Sequence, residues 1–313
     1  TGGGDCPGLN AVIRAVAKRL LGASRVRLLG IVDGFEGLVR DELRPLGWNE
    51  VSGILTLGGT ILGTSNRGNP VVEGGKILAT YRRRHLDGIV AIGGDGTLGI
   101  CRALSRNGMR FVCVPKTIDN DVPGTDRTFG FDTAVAVVSH AVDALHTTAD
   151  AHRRVMVVEV MGRAAGWIAL YGGLAGGADV ILMPEIPFDL EKVGRFIRDR
   201  HRTRRFTIVV VAEGAMPGPA VARELERLSG FESRVTVLGH LQRGGTPTAS
   251  DRILATRYGI AAADLVLAGK WNRMVALRGD GGAPSRPAEC QPAGRRPRQG
   301  ALQPRRALGR GHL

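Results

Sequence analysis

Short apolar runs alternate with longer amphipathic stretches along most of the chain. Runs such as Ile89–Ile92 and Phe111–Val114 have the length and the β-branched content of buried strands. The stretches Leu9–Leu21 and Ala249–Leu267 instead have the pattern of amphipathic helices. Because strands and helices alternate, the pattern predicts an α/β fold of mainly parallel sheets with helices on both faces. The other predicted strands and helices are Leu28–Val32, Val155–Val160, Val180–Met183, Ile208–Val211, Val235–Leu238, Thr133–Ala149 and Leu190–Arg202.

Predicted strands lie on both sides of residue 130, which favours two sheets in two lobes. We expect one discontinuous lobe to comprise residues 1–130 plus 242–278 and the other to comprise 131–241. The Gly-rich turn at Thr1–Gly8 runs into a helix, an arrangement that binds anions, yet no strand precedes it. We therefore expect that the chain lacks its natural start.

The composition of the chain changes after Arg278. Residues 279–313 are rich in Gly, Pro, Arg and Ala, show no periodicity and contain almost no large apolar side chains. Because such a segment cannot bury enough apolar surface to fold, it is predicted to be disordered. We favour out-of-frame translation of a GC-rich gene as its origin over a natural solvated tail.

The formal net charge of +14 raises the question of a nucleic-acid partner. The tail alone carries +5, which leaves +9 on the rest of the chain. Aromatic residues make up only 4% of the chain, too few for base stacking, so the charge fits anionic small molecules better. No apolar run is long enough to span a membrane, no signal peptide is visible, and the four cysteines form no C-x-x-C pair. The composition predicts a cytoplasmic protein with no nucleic-acid or membrane partner.

Two polar loops follow neighbouring predicted strands. Gly93–Thr97 ends the first strand and Pro115–Asp121 ends the second, so both loops open at the same carboxyl edge of one sheet. The first loop brings glycines, which allow close approach of a phosphate, and Asp95, which can hold Mg²⁺. The second brings Lys116, a threonine and two carboxylates, of which Asp119 can accept a proton. This set is typical of phosphoryl transfer.

Each motif also has a simpler interpretation. Gly94–Thr97 can be a tight turn after a strand, and the same loop occurs in NAD kinases and lipid kinases. Thr117–Asp121 can be a polar turn that caps the next helix. Further charged residues flank other predicted strands, and singly each is more often a surface charge than a ligand group. Together, cations at successive strand ends can build a phosphate pocket, for which arginine is the preferred donor.

These segments, in this order and over residues 1–278, resemble the phosphofructokinase family. The resemblance implies 6-phosphofructokinase activity in glycolysis, which transfers a phosphoryl group to the 1-hydroxyl of fructose 6-phosphate and gives fructose 1,6-bisphosphate. It further implies Mg²⁺, ATP as donor, allosteric regulation and a homotetramer with shared sites, with a nucleotide-binding first lobe and a sugar-phosphate second lobe. The matching segments are Gly2–Asn10, Gly93–Thr97, Pro115–Asp121, Pro123–Gly130, Val158–Arg163, Gly176–Pro184, Ala212–Gly214 and Leu238–Gly245.

The resemblance also implies a role for individual residues. Asp119 is the expected proton acceptor with Thr117 beside it, Arg163 steadies charge on the moving phosphoryl group, and Asp95 is the magnesium ligand. Arg154 and Arg234 resemble arginines that reach into a neighbouring subunit's site. The nucleotide positions are Gly4, Arg67, Gly68, Gly94, Asp95, Gly96 and Thr97. The sugar-phosphate positions are Thr117, Ile118, Asp119, Arg154, Met161, Gly162, Arg163, Glu213, Arg234, His240, Leu241, Gln242 and Arg243.

Two positions discriminate the phosphoryl donor within the family, and here they conflict. Pyrophosphate users usually have aspartate where this chain has Gly96, and the missing side chain leaves room for ATP. They usually have lysine at the second position, as Lys116 is here. We expect ATP, as in an actinobacterial-like ATP-using subgroup with a mixed signature, and keep pyrophosphate as the alternative. A non-catalytic regulatory protein that binds sugar phosphate is a second alternative, which the presence of Asp95, Asp119 and Arg163 makes less favourable.

Overall fold

The β-branched runs form the centres of two four-stranded sheets, and helices lie between them in the chain. The computed structural model describes residues 1–23, 26–65 and 68–279, together with the backbone of 288–289. The helices in this part are α1 (Leu9–Leu21), α2 (Phe35–Arg40), α3 (Gly74–Arg83), α4 (Asp95–Ser105), α5 (Phe131–His152), α6 (Trp167–Ala175), α7 (Leu190–Arg200), α8 (Gly218–Ser229) and α9 (Ala249–Leu267). The strands are β1 (Leu29–Ile31), β2 (Leu43–Pro45), β3 (Ile89–Gly93), β4 (Phe111–Pro115), β5 (Val155–Val160), β6 (Val180–Leu182), β7 (Thr207–Ala212), β8 (Ser233–Val237), β9 (Arg273–Met274) and β10 (Ala288–Glu289).

Strand pairing in both sheets is mainly parallel. The first sheet has the order β10-β9-β4-β3, in which β4 is parallel to β3 and β9, and only β10 is antiparallel. The second sheet has the order β6-β7-β5-β8 and is parallel throughout. The prediction of an α/β fold with parallel sheets and flanking helices is therefore confirmed.

Most predicted elements are present with shifts of a few residues at their ends. Helices α1 and α9 have the predicted bounds, whereas α5 begins two residues earlier and ends three residues later, at His152. The run Leu28–Val32 does form a strand, but β1 pairs antiparallel with β2 in a separate two-stranded ribbon. The pattern did not predict β2, because a three-residue segment that contains Arg44 and Pro45 has no strand-like apolar signal.

The core is formed mainly by the central strands and by one pair of packed helices. Every residue of β7 is buried, as expected for a parallel strand covered on both faces. Helix α1 packs closely on α9 beside Gly259, where a Cβ atom would lie 2.6 Å from the Cβ of Ala15. A side chain at this position would therefore force the two helices apart. Within the described ranges, no helix combines the length and the apolarity needed to cross a bilayer.

An apolar cavity of about 670 Å³ runs along the outer edge of β3. Its walls include side chains of α1 and β1 and the indole of Trp271, and at one end the N–H of Gly2 donates to the carbonyl oxygen of Ile92 at 2.9 Å. The lobe boundaries at 1–130 plus 242–278 and 131–241 stay predictions. Of the tail, the structure describes only Gly279 and β10, so the prediction for 279–313 otherwise lies outside the described residues.

Helix α7 offers a direct test of local stability. Its N-cap, Asp189, accepts hydrogen bonds from the backbone N–H groups of Glu191 and Lys192 at 2.9 and 3.4 Å. We expect Asp189→Ala to lower the free energy of unfolding by about 1 kcal/mol, because these donors lose their acceptor. Asp189→Ser retains a capping oxygen and should lose less. Urea unfolding of both variants measures the difference, and an alanine variant as stable as the parent would contradict the capping role.

Candidate active site

The register of β3 and β4 brings the two sequence-predicted loops together. Gly93 lies opposite Pro115 at the carboxyl ends of these strands, and the N–H of Lys116 donates to the carbonyl oxygen of Gly93 at 3.0 Å. The chain then diverges into α4, which begins at Asp95, and into the loop that contains Asp119. The predicted common edge is therefore confirmed for these two loops.

Asp119 is the most unusual carboxylate of this edge. Asp119 is only 6% exposed, and its Oδ1 atom has no hydrogen-bond partner in the described part of the chain. Burial, followed by the charge of Asp121, raises the pKa of Asp119 to about 6, although Arg243 and the hydroxyl of Thr117 act in the opposite direction. A buried carboxylate with a free oxygen and a pKa near neutrality is suited to accept a proton.

The loop that carries Asp119 is folded back on itself by its own polar groups. The N–H of Asp119 donates to Thr117 Oγ1 at 3.0 Å, and the hydroxyl of Thr128 donates to the carbonyl oxygen of Thr117 at 2.7 Å. Asn120 adopts a left-handed φ of 53° and accepts from the N–H of Thr128 at 2.9 Å. The sequence interpretation missed Asn120 and Thr128 as structural parts of the site, although Asn is a common residue in this conformation.

Lys116 lies inside the protein instead of projecting into the cleft. It is 4% exposed, and its Nζ atom donates to the carbonyl oxygen of Gly4 in the N-terminal turn. Burial lowers the pKa of Lys116. Arg243 covers the same turn, since a Cβ atom at Gly4 would lie only 2.6 Å from Arg243 Nη1. The structure therefore brings the N-terminal turn, Lys116 and Arg243 together beside Asp119.

The residues of the Gly94–Thr97 loop differ in accessibility. Asp95 and Gly96 are exposed, and a Cβ atom at Gly96 would have no heavy atom within 4 Å. Thr97, in contrast, is buried against Gly2 and Gly93, where Cβ atoms would lie 2.6 and 2.4 Å from its Oγ1. Thr97 thus packs the N-terminal turn against α4, a position that the spacing alone did not predict.

At the carboxyl edge of the second sheet, a carboxylate shapes the loop after β5. Glu213 Oε1 accepts from the N–H groups of Gly162 and Arg163 at 3.2 and 2.8 Å. Gly162 has a φ of 144°, and a Cβ atom there would lie 2.1 Å from the carbonyl oxygen of Ala165. Arg163 has a φ of 52°, an uncommon conformation for arginine, and is exposed. The loop is therefore held in a specific conformation that presents Arg163.

The 3-10 turn Gly239–Arg243 follows β8 at the same edge. His240 and Leu241 are exposed in it, and Arg243 is half-buried. Gln242 is 0% exposed, with its Oε1 accepting from the N–H of Met161 at 3.3 Å and its Nε2 donating to the carbonyl oxygen of Gly239 at 3.1 Å. The side chain of Gln242 therefore joins two loops from inside, and the expected role of this residue in sugar binding stays a prediction. The side chain of Ile118 is likewise buried in the core.

Arg154 and Arg234 lie at the opposite end of the second sheet. Arg154 precedes β5 and Arg234 is near the start of β8, and both form ion pairs with Glu232, the first at 2.6 Å. Because the six residues of β5 extend by about 3.3 Å each, roughly 20 Å separates Arg154 from the site edge. Within one chain these arginines do not join the cleft. Arg67 lies outside the described residues, and its neighbour Gly68 is exposed.

The acidic residues at the site fit a magnesium ion bound jointly with a substrate. The described residues contain no cluster of three or more His, Cys, Asp or Glu side chains that would enclose a metal. Mg²⁺ typically binds one or two carboxylates and completes its octahedron with phosphate oxygens and waters. Asp95 is exposed at the open end of its loop and can act as such a ligand.

The comparisons with known proteins agree with a phosphoryl-transfer site. The phosphofructokinase family profile matches residues 1–266. The chain therefore belongs to the phosphofructokinase family, and it is a phosphofructokinase-family enzyme of the class that binds fructose 6-phosphate and a phosphoryl donor.

Relatives of similar identity divide between two donors. The chain is 50% identical over 305 residues to the pyrophosphate–fructose 6-phosphate 1-phosphotransferase of Amycolatopsis methanolica. The alignment covers 89% of this chain and 89% of the relative. The chain is 46% identical over 314 residues to the ATP-dependent 6-phosphofructokinase of Spirochaeta thermophila. This alignment covers 89% of this chain and 86% of the relative.

The solved structures show the same fold. The phosphofructokinase of Pichia pastoris in the T-state aligns with a TM-score of 0.81 at 34% identity, over 88% of this chain. This chain spans only 33% of the Pichia chain. The pyrophosphate-dependent phosphofructokinase of Marinobacter aquaeolei aligns with the same TM-score at 27% identity, over 92% of this chain and 79% of that chain.

The unusual pKa of Asp119 has a consequence for stability. Its pKa is about 6 in the folded protein and 3.8 in a solvated chain, so the folded state holds more protons between these two values. The free energy of unfolding contributed by this group therefore falls as pH rises from 4 to 6, and the full penalty remains above pH 6. We expect Asp119→Asn to be more stable than the parent at pH 8, by on the order of 1–3 kcal/mol.

Urea unfolding at several pH values tests this expectation. The advantage of Asp119→Asn should shrink below pH 4, where the parent carboxyl is protonated in both states. Asp143→Asn, at an exposed position on α5, is the matched control and should change stability little at either pH. An Asp119→Asn variant that is less stable than the parent at pH 8 would contradict the destabilising effect of the buried charge.

Proposed function

We propose that the chain is an ATP-dependent 6-phosphofructokinase, which phosphorylates the 1-hydroxyl of fructose 6-phosphate to give fructose 1,6-bisphosphate. The observation that carries the proposal is the free, buried Oδ1 atom of Asp119 on a carboxyl group whose pKa is raised to about 6. The charge of Arg243 acts on this carboxyl, and Arg243 also covers the N-terminal glycine turn, so a sugar alcohol and a polyphosphate would meet here. A cytoplasmic, glycolytic role follows from this activity.

In the proposed reaction, the protein contributes mainly by positioning the two substrates and by neutralising charge on the phosphates. Asp119 accepts the proton of the sugar 1-hydroxyl while the bond from that oxygen to the γ-phosphorus forms and the bond to the β,γ-bridging oxygen breaks. Arg163 offsets charge on the transferred group, and its loop is fixed by Glu213. A magnesium ion held at Asp95 would neutralise the donor phosphates.

The sugar phosphate is proposed to bind along the edge of the second sheet. His240 and Arg243 supply cationic or hydrogen-bonding groups for the 6-phosphate, and an arginine fork suits this geometry. The loop Met161–Arg163 and Glu213 contact the sugar. Arg154 and Arg234, which lie at the far end of the sheet, are proposed to serve a neighbouring subunit of a homotetramer.

The donor is assigned from the space at Gly96 and the position of Lys116. The open surroundings of Gly96 leave room for an α-phosphate and nucleoside, and Gly4, Gly68 and Gly94 offer backbone to the phosphates. The amine of Lys116 is occupied by the N-terminal turn, so this lysine does not project freely toward a donor. Pyrophosphate is the second candidate, because a relative of 50% identity is named as a pyrophosphate-dependent enzyme.

The pH dependence and one substitution test the role of Asp119. We expect kcat/KM of the parent with ATP to rise with pH through about 6 and then level off, because only the carboxylate accepts a proton. Asp119→Asn should lower kcat by about 10²–10⁴-fold. A coupled assay for fructose 1,6-bisphosphate measures both effects, with Asp143→Asn as the control. Unchanged turnover of Asp119→Asn would refute the proposed function.

Replacement of Gly96 tests the donor assignment. Gly96→Asp places a carboxylate in open space without a clash, and we expect kcat/KM for ATP to fall at least tenfold through charge repulsion. Gly96→Asn has nearly the same size without the charge and should fall less. Assays with ATP and with pyrophosphate on the parent and both variants measure this. A parent that prefers pyrophosphate, or a Gly96→Asp variant with full ATP activity, would overturn the assignment.

A further inference from the structure

The N-terminal ends of α5 and α9 meet beside the candidate site and cap each other. Helix α5 begins after Gly130, which has no side chain to accept from its first N–H groups. Asp251 of α9 takes this role, as its Oδ2 accepts from the N–H and the hydroxyl of Thr133 at 2.8 and 2.6 Å. Asp251 is 1% exposed, and burial raises its pKa, while the hydrogen bonds from Thr133 act in the opposite direction.

Thr248, the N-cap of α9, in turn forms hydrogen bonds to the first residues of α5. Its Oγ1 accepts from the N–H of Asp251 at 3.3 Å and donates to Asp132 Oδ2 on α5 at 2.7 Å. The N–H of Thr248 donates to the hydroxyl oxygen of Thr133 at 3.1 Å. Thr133, Thr248 and Asp251 thus form a closed ring of hydrogen bonds to which Asp132 is joined through Thr248, and we call these four residues the reciprocal cap.

The reciprocal cap joins the ends of two site segments. The loop that carries Asp119 ends at Gly130, directly before α5. The turn that carries His240 and Arg243 is separated from Thr248 by only four residues, of which Gly244 and Gly245 add backbone freedom. The other end of this turn directly follows β8, where the N–H of Leu238 donates to the carbonyl oxygen of Glu159 at 3.1 Å. The cap therefore fixes the end of the segment that follows the turn, together with Arg252, whose Nε donates to the carbonyl oxygen of Pro247 at 2.8 Å.

We propose that Thr133 and Asp251 are positioning residues, which hold the His240–Arg243 turn at a fixed distance from Asp119. This inference rests on the proposed function, in which the turn binds the 6-phosphate of the sugar. A loosened turn weakens binding of fructose 6-phosphate most directly, because the 6-phosphate of the sugar is the proposed ligand of this turn. A purely structural cap would instead affect stability alone.

Thr133→Val tests the proposal, because it removes both hydroxyl bonds and keeps the shape of the side chain. We expect KM for fructose 6-phosphate to rise about tenfold, while kcat and KM for the donor change less than about twofold, a loss of the size expected for misplaced phosphate contacts. Thr133→Ser should restore KM. Asp189→Ala, which removes the cap of α7 away from the junction, is the matched control and should leave KM unchanged.

Hydrogen exchange followed by mass spectrometry separates this proposal from the proposed function. Amides of residues 239–248 should exchange faster in Thr133→Val and at the parental rate in Asp189→Ala. Unchanged exchange in Thr133→Val, or lower stability with an unchanged KM, overturns the positioning role. If the parent shows no phosphofructokinase activity with either donor, the proposed function fails, and the exchange rates alone support or overturn the reciprocal cap.

Discussion

Parallel pairing of β3 with β4 determines which side chains can meet at the site. The register runs from Ile89 opposite Phe111 to Gly93 opposite Pro115, so both strands end at the same level. The next N–H, that of Lys116, still bonds across to β3, and only then does the chain turn toward Asp119. A shift of this register would move the carboxylate away from the glycine turns. The chemistry therefore depends on backbone hydrogen bonds between two buried strands.

The same edge holds buried charges that the fold tolerates because they are arranged together. Lys116 is bonded to a carbonyl oxygen, and the nearby carboxylate of Asp119 favours its charged form. The charge of Arg243 lowers the pKa of Asp119 and so favours the charged form of this carboxyl. One oxygen of Asp119 nevertheless has no hydrogen-bond partner in the described part of the chain. An unpaired buried polar atom lowers stability, and the proposed function gives this one a role as proton acceptor. Stability and reactivity are opposed at this one atom.

The sequence was sufficient to predict the strands, the larger helices and the loops that meet at the first sheet, because apolar periodicity and strand direction determine these. It was not sufficient to predict the direction of individual side chains. Gln242, Thr97 and Lys116 follow strands or open helices like exposed ligands, yet each points into the interior. Such orientation depends on long-range packing, for example of Thr97 against Gly2, which no local pattern contains.

The division of the family between two donors is understandable from this structure. Both donors present a terminal diphosphate to the same glycine turns, and they differ only in what lies beyond it. That region is lined by very little protein at Gly96, where a Cβ atom would meet nothing within 4 Å. Because the proposed function uses the turns, Asp119 and the sugar edge for either donor, it predicts that a change of donor requires few substitutions. Overall identity is therefore a poor guide to the donor, as the similar identities of 50% and 46% to relatives of each kind illustrate.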